Sequence, residues 1–174
     1  MCPARKYGFT WDHLGDIQKG RPNLGNLTRI EVYRLMQYTL RDVLEQRYGD
    51  AEADAIFREA GRLSGREFFH HQLSGCQEMH VFIRKFQESL RELGIGILRV
   101  EEADETNGSF TLTVAEDLDC SGLPELDYPV CTFDEGFIRG ILEEMTGNPY
   151  DVREVDCWCT GDRTCRFVAN VKRP

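Results

Sequence analysis

No stretch of this sequence holds enough consecutive apolar residues to cross a bilayer as a helix, which excludes a helical membrane anchor within it. It has no Lys/Arg cluster either. The 21 basic residues face 30 acidic ones, giving a formal net charge of -9. Phosphate binding and attachment to anionic lipid both need a basic field, so neither nucleic acid nor a membrane surface is expected as a partner. The opening residues, Met1 to Gly15, have no apolar core and no cleavage pattern, so they do not read as a secretory signal and a cytoplasmic location is expected. A nucleophile elbow, a phosphate loop and a dinucleotide fingerprint are all missing, and so are internal repeats. These absences weigh against an enzyme, and no catalytic residue is nominated.

What the sequence does have is cysteine. Seven occur among 174 residues. An odd number in a reducing compartment argues against a complete disulfide framework and toward metal or redox chemistry. Three of the seven fall in Asp156-Cys-Trp-Cys-Thr-Gly-Asp-Arg-Thr-Cys165.

The apolar periodicity places these thiols in a fold. Residues 1–25 form an arm rich in Gly and Pro that still carries Trp11, Leu14 and Ile17, and it should pack on the body of the protein. A capping box, Thr28-Arg-Ile-Glu31, opens a helix that runs to Tyr48 and stops at Gly49. Its apolar residues (Ile30, Val32, Leu35, Met36, Leu40 and Val43 among them) cover more than one stripe, so it is either deeply buried or shared with a second copy in a homodimer. Asp50 should cap a second helix, in which Gly61, Ser64 and Gly65 indicate close packing through small residues. A third helix follows from Ser74-Gly-Cys-Gln77 to Gly94.

The period then becomes two. Residues 95–102 and 109–116 read as strands joined around Asn107-Gly108. A long loop leads to a further capping box, Thr132-Phe-Asp-Glu135, and a helix ending at Gly147. Tyr150 to Trp158 and Cys165 to Val171 make a second hairpin. The expected fold class is α+β: N-terminal helices (residues 26–94) on a twisted antiparallel sheet of about four strands with an inserted helix (95–174), all in a single domain.

If the last hairpin turns about Gly161, Cys157 lies opposite Cys165, with Cβ atoms about 4.5–5.5 Å apart. Two thiolates at that spacing can share one zinc through Zn–S bonds of about 2.3 Å. Glu154, Cys159 and Cys131 are the further donors. Strict alternation puts Glu154 on the opposite face from Cys157, and a bulge would bring it round. Cys131 precedes a helix N-terminus, which favours a thiolate. A four-cysteine site using Cys159, an iron–sulfur cluster, a Cys157–Cys165 disulfide and simple burial remain alternatives. Cys2, Cys76 and Cys120 have no sequence partner.

Val130-Cys-Thr-Phe-Asp-Glu-Gly136, Gly140, Glu154-Val-Asp-Cys157, Gly161-Asp162 and Cys165-Arg-Phe167 resemble the 4-vinyl reductase domain family. The resemblance implies a fold similar to small vesicle-tethering subunits and to nitric-oxide-signalling-type ligand-binding domains. It also implies a zinc held by Cys131, Glu154, Cys157 and Cys165. In function it implies binding of an apolar or aromatic small molecule, with a sensory or regulatory role and output to a protein partner. Tetrapyrrole vinyl reduction, as enzyme or accessory subunit, and protein assembly are the other roles it leaves open.

Ligand pockets are mostly apolar with a few aimed polar groups. His80, Phe82 and Phe86 on the third helix, Phe110 on the first hairpin and Trp11 on the arm are the candidate ligand-binding residues. His70 and His71 lie at a helix end, where the dipole accounts for them without metal.

Overall fold

The computed structural model describes residues 7–76 and 78–172. Cys2 and Gln77, both part of the sequence readings above, lie outside them. The described chain forms five α-helices and four strands: α1 (Ile17–Gly20), α2 (Ile30–Tyr48), α3 (Asp50–Phe68), α4 (Met79–Glu92), β1 (Ile97–Asp104), β2 (Ser109–Ala115), α5 (Thr132–Thr146), β3 (Tyr150–Asp156) and β4 (Cys165–Val171). The α+β architecture expected from the change of period is therefore the one observed.

All strand pairings are antiparallel, in the spatial order β1-β2-β4-β3. The two hairpins join through β2 and β4, with Val114 opposite Cys165 and Ser109 opposite Asn170. Alternation then sorts the side chains. Phe110, Leu112, Val114, Phe167, Ala169, Tyr150 and Val152 are buried beneath the helices. On the opposite face Arg166 pairs with Glu101 and with Asp156, the latter at 2.6 Å.

Helices α3 and α5 pack almost backbone to backbone, as the small residues of α3 suggest. A Cβ at Gly61 would overlap the carbonyl oxygen of Phe133, and one at Gly65 that of Phe137. Gly136 and Gly140 on α5 meet the carbonyls of Arg58 and Arg62 in the same way. Ion pairs flank this seam: Arg62 Nε to Glu143 at 2.5 Å, Arg66 Nε to Glu144 at 2.8 Å, and Arg58 to Glu135.

Several element starts differ from expectation. α2 is capped at Arg29, with no side-chain hydrogen bond, rather than at Thr28. Asp50 is the first helical residue of α3 instead of its cap. α3 runs into a π-helical turn, Phe69–Leu73, so α4 starts at Met79 instead of Ser74. In α5 the cap is Cys131, one residue before the Thr132 box. The Glu135 carboxylate is not free to complete such a box. It accepts the Glu154 N–H at 2.9 Å and pairs with Arg58.

The arm is held at one point. The Trp11 N–H donates to Glu67 at 2.8 Å, and its ring stacks on His71 at 4.8 Å. His70 faces Glu144 at 3.0 Å. Both histidines thus have structural neighbours. Leu14 and Ile17 stay exposed, which corrects the expectation that the whole arm packs.

Of the two fates open to α2, burial in the core does not occur. Gln37 is its buried residue. Leu35 and Met36 are 65% and 64% exposed, and Ile30, Val32, Leu40 and Val43 are exposed with them.

Candidate metal centre and adjoining apolar cavity

β3 and β4 return through a short 3-10 turn, Trp158–Thr160, and Gly161 at φ 94°. The Thr160 and Asp162 N–H groups donate to the Cys157 carbonyl at 3.1 and 3.2 Å, closing the turn. Asp156 pairs with Arg166, so Cys157 and Cys165 come next to each other across the hairpin. The register shifts between Glu154 and Asp156, which makes Val155 the extra, outward residue. That bulge brings Glu154 and Cys157 to the same buried side.

Four thiols converge there. The Sγ atoms of Cys120, Cys131, Cys157 and Cys165 all lie within 4.8 Å of one another, and all four residues are fully buried. Cys120 to Cys165 is 3.1 Å, Cys131 to Cys165 is 3.8 Å and Cys131 to Cys157 is 4.0 Å. A tetrahedron with Zn–S bonds of about 2.3 Å has edges of about 3.8 Å, so the donor set fits a zinc-sized ion. Such a site has no open position for substrate.

Glu154 lies beside this cluster. Its Oε2 accepts the Cys131 N–H at 3.1 Å, and its buried Oε1 has no hydrogen-bond partner. Burial, then the Cys157 charge, pushes its carboxyl up to about 9. Hydrogen bonds from Cys120, then Cys131 and Cys165, hold the Cys157 thiol far below its ordinary range. Cys131 is raised chiefly by its contact with Cys120. Four crowded thiols thus share their protons unequally until a cation replaces them. Cys159 is buried but stands outside the four-thiol group, and burial pushes its thiol up to about 12.

The sequence assigns Cys120 no role, since it sits on an irregular loop with no spacing motif. The loop is nonetheless firmly held. Asp117 Oδ1 accepts the N–H groups of Asp119 and Cys120 at 2.8 and 3.2 Å. α2 supplies the rest: Tyr33 and Gln37 donate to the Asp119 carboxylate at 2.7 Å each, Tyr38 to the Asp119 carbonyl at 2.9 Å, and Arg34 to the Leu118 and Ser121 carbonyls at 2.9 Å each. Burial, then the Asp119 charge, pushes the Asp117 carboxyl up to about 7.

The candidate ligand residues divide. Phe82, Phe86 and Phe110 come together with Met79, Ile83, Val100, Leu112 and Leu142 around an apolar cavity of about 20 Å³ between α4, the sheet and α5. His80 points away from it. Its side chain is 73% exposed and its partner is Glu78 at 3.4 Å, because α4 begins at Met79 and turns that position to the surface. Trp11 is also absent from the cavity wall and covers Phe68 and His71 instead. Met79 and Phe110 separate the cavity from an open cleft of about 460 Å³ that Met145, Tyr150 and Val171 also line.

Fold and site together define an α+β domain with a buried thiol cluster beside a nearly filled apolar pocket. Residues 110–171 match the family model of the 4-vinyl reductase domain, so the resemblance to that family holds over the sheet and α5. A protein of Methanocaldococcus jannaschii is 26% identical over 149 residues, 86% of this chain and 79% of that one. Among solved structures, the phenol-responsive sensory domain of the transcription activator PoxR, with phenol, superposes with a TM-score of 0.65 at 18% identity, over 84% of this chain and 76% of that one. A trafficking protein particle complex subunit 3 from Naegleria fowleri, covalently bound to palmitic acid, gives 0.64 at 17% identity, over 83% and 95%. A vinyl-4-reductase family protein from M. jannaschii gives 0.60 at 17% identity, over 86% and 85%. The same fold extends to an H-NOX protein from S. oneidensis, at 0.52 and 10% identity, over 79% and 74%.

Proposed function

We propose that this chain is a sensory domain for an apolar or aromatic small molecule, bound between α4, the sheet and α5. The observation that carries this reading is the cavity walled by Phe82, Phe86 and Phe110, which has no polar lining. The shared fold with the phenol-responsive PoxR domain supports it. At about 20 Å³ the cavity is far smaller than the roughly 150 Å³ void that takes up benzene, so a ligand enters only as the phenylalanines move.

A structural zinc belongs to the same reading. Cys131, Cys157 and Cys165 supply three donors, and Glu154 or Cys120 the fourth. When bound, the ion would pin the final hairpin to the start of α5 and stiffen the floor of the pocket. The exposed apolar residues of α2 support a homodimer, through which ligand occupancy would reach a protein partner.

The test is calorimetric titration of the purified chain with phenol and, separately, with palmitate. Saturable binding of one of them, lost in Phe110→Trp, which fills the cavity, is the expected result. Absence of binding by both would overturn the reading. One observation favours a second role, in protein assembly: the cavity is nearly filled while α2 leaves a broad apolar face uncovered. A stable heteromer and no small-molecule binding would favour that role.

A further inference from the structure

The buried centre presents five donor side chains for four tetrahedral positions. The family resemblance points to Glu154 beside Cys131, Cys157 and Cys165, whereas the geometry points to a different fourth donor. We propose that Cys120 is a metal ligand of this chain and that Glu154 is not, so the ion is held by four thiolates. The proposal rests on the structural-metal reading above and decides the composition of that site.

Three observations carry it. First, the Cys120 sulfur already sits in the cluster, 3.1 Å from Cys165 and within 4.8 Å of the other two sulfurs, while the Glu154 oxygens lie outside this grouping. Second, Glu154 is engaged elsewhere. Its Oε2 accepts the Cys131 N–H, and its own backbone N–H is tied to Glu135. Moving the carboxylate into the cluster would leave the buried Cys131 N–H without that acceptor, whereas Cys120 needs no rearrangement. Third, the loop that delivers Cys120 is built for one conformation. Asp117 ties down the backbone on either side of Leu118 and Asp119, and Tyr33, Arg34, Gln37 and Tyr38 hold the loop from α2. Zinc accepts thiolate as readily as carboxylate, so softness of the donor poses no obstacle.

The assignment changes what the ion connects. With Glu154 it would join only α5 and the final hairpin. With Cys120 it also takes in the loop after β2, and through that loop's hydrogen bonds it fastens α2 to the sheet. Metal occupancy then governs how firmly α2 is seated.

X-ray absorption at the zinc edge of the full chain counts the sulfurs directly, alongside metal analysis. The wild type should give four sulfurs at about 2.3 Å. Glu154→Gln should keep all four and its metal. Cys120→Ser should give three sulfurs and one lighter atom, should lose zinc to a chelator more than about tenfold faster, and should exchange its α2 amide hydrogens sooner. Cys120→His, which keeps a zinc donor, should read three sulfurs and one nitrogen. It also guards against a serine variant that fails to fold. Three sulfurs and one oxygen in the wild type, with metal loss in Glu154→Gln, would overturn the proposal and leave the structural-metal reading intact. A folded wild type that takes up no zinc would overturn both.

Discussion

Replacing Gly61 by Ala tests the α3–α5 seam, on which the rest of the site is built. Two effects oppose each other. Alanine is favoured over glycine in a helix interior by about 0.8–1.0 kcal/mol. Against this, the new Cβ would overlap the Phe133 carbonyl oxygen and stand 2.9 Å from the Phe137 nitrogen, where ordinary contacts begin at 3.4 Å. Both atoms are helical backbone, so no rotamer change relieves the clash. α5 itself must move outward, and it carries Glu135, Glu143 and Glu144 away from Arg58, Arg62 and Arg66. Overpacking of this kind costs about 1–3 kcal/mol. With backbone on both sides the upper end applies, which leaves a net loss of about 2 kcal/mol. For a domain of this length that lowers Tm by about 4–8 °C. Thermal and urea denaturation of the purified variant measure it. Gly20→Ala, where a Cβ meets nothing within 4 Å, is the control and should be neutral or slightly stabilising. A Gly61→Ala variant as stable as wild type would mean that the two helices are not in backbone contact.

Other perturbations have equally definite outcomes. Cys165→Ser should abolish zinc binding and lower Tm, because ligation free energy is folding free energy; an unchanged Tm in metal-free wild type would sink the structural role. Phe110→Ala should cost about 3–5 kcal/mol and open a void that benzene refills, seen as a Tm rise on benzene addition that wild type lacks. Leu40→Asp should dissociate the homodimer in sedimentation runs at micromolar concentration, and a wild type that is already monomeric there would remove the interface. Tyr33→Phe removes one hydrogen bond to buried Asp119 and should destabilise by about 1–3 kcal/mol in urea, with the zinc-to-protein ratio unchanged.

The sheet is the most legible part of the molecule. Asn107-Gly108 and Gly161-Asp162 set both hairpins, and alternation about Gly161 places Cys157 beside Cys165 correctly. A bulge is the condition for Glu154 to share the buried side, and the strand meets it at Val155. Helix starts are less legible, because a Thr-x-x-Glu pattern states only that a cap is possible. At Thr132 the carboxylate of Glu135 is claimed by Arg58 and a strand N–H, which are tertiary partners invisible to a four-residue window. His80 reads as interior because its neighbours Met79, Phe82 and Ile83 are apolar, yet the start of α4 at Met79 turns it to solvent. Cys120 is hidden for the opposite reason. Its position depends on hydrogen bonds from residues 33–38, more than 80 positions earlier, and no local pattern encodes such a distance.

The smallness of the apolar cavity has a kinetic consequence. A binding site that its own phenylalanines occupy is available only during the fraction of time those rings are displaced, and the apparent affinity falls by that same fraction. Association should therefore level off at high ligand concentration, at the rate of ring displacement rather than of diffusion. Brief encounters with abundant weak binders would pass unrecorded, and only a compound that persists near Met79 and Phe110 would be taken up. A filled pocket in this sense acts as a time filter, and its threshold is set by the packing of three aromatic rings.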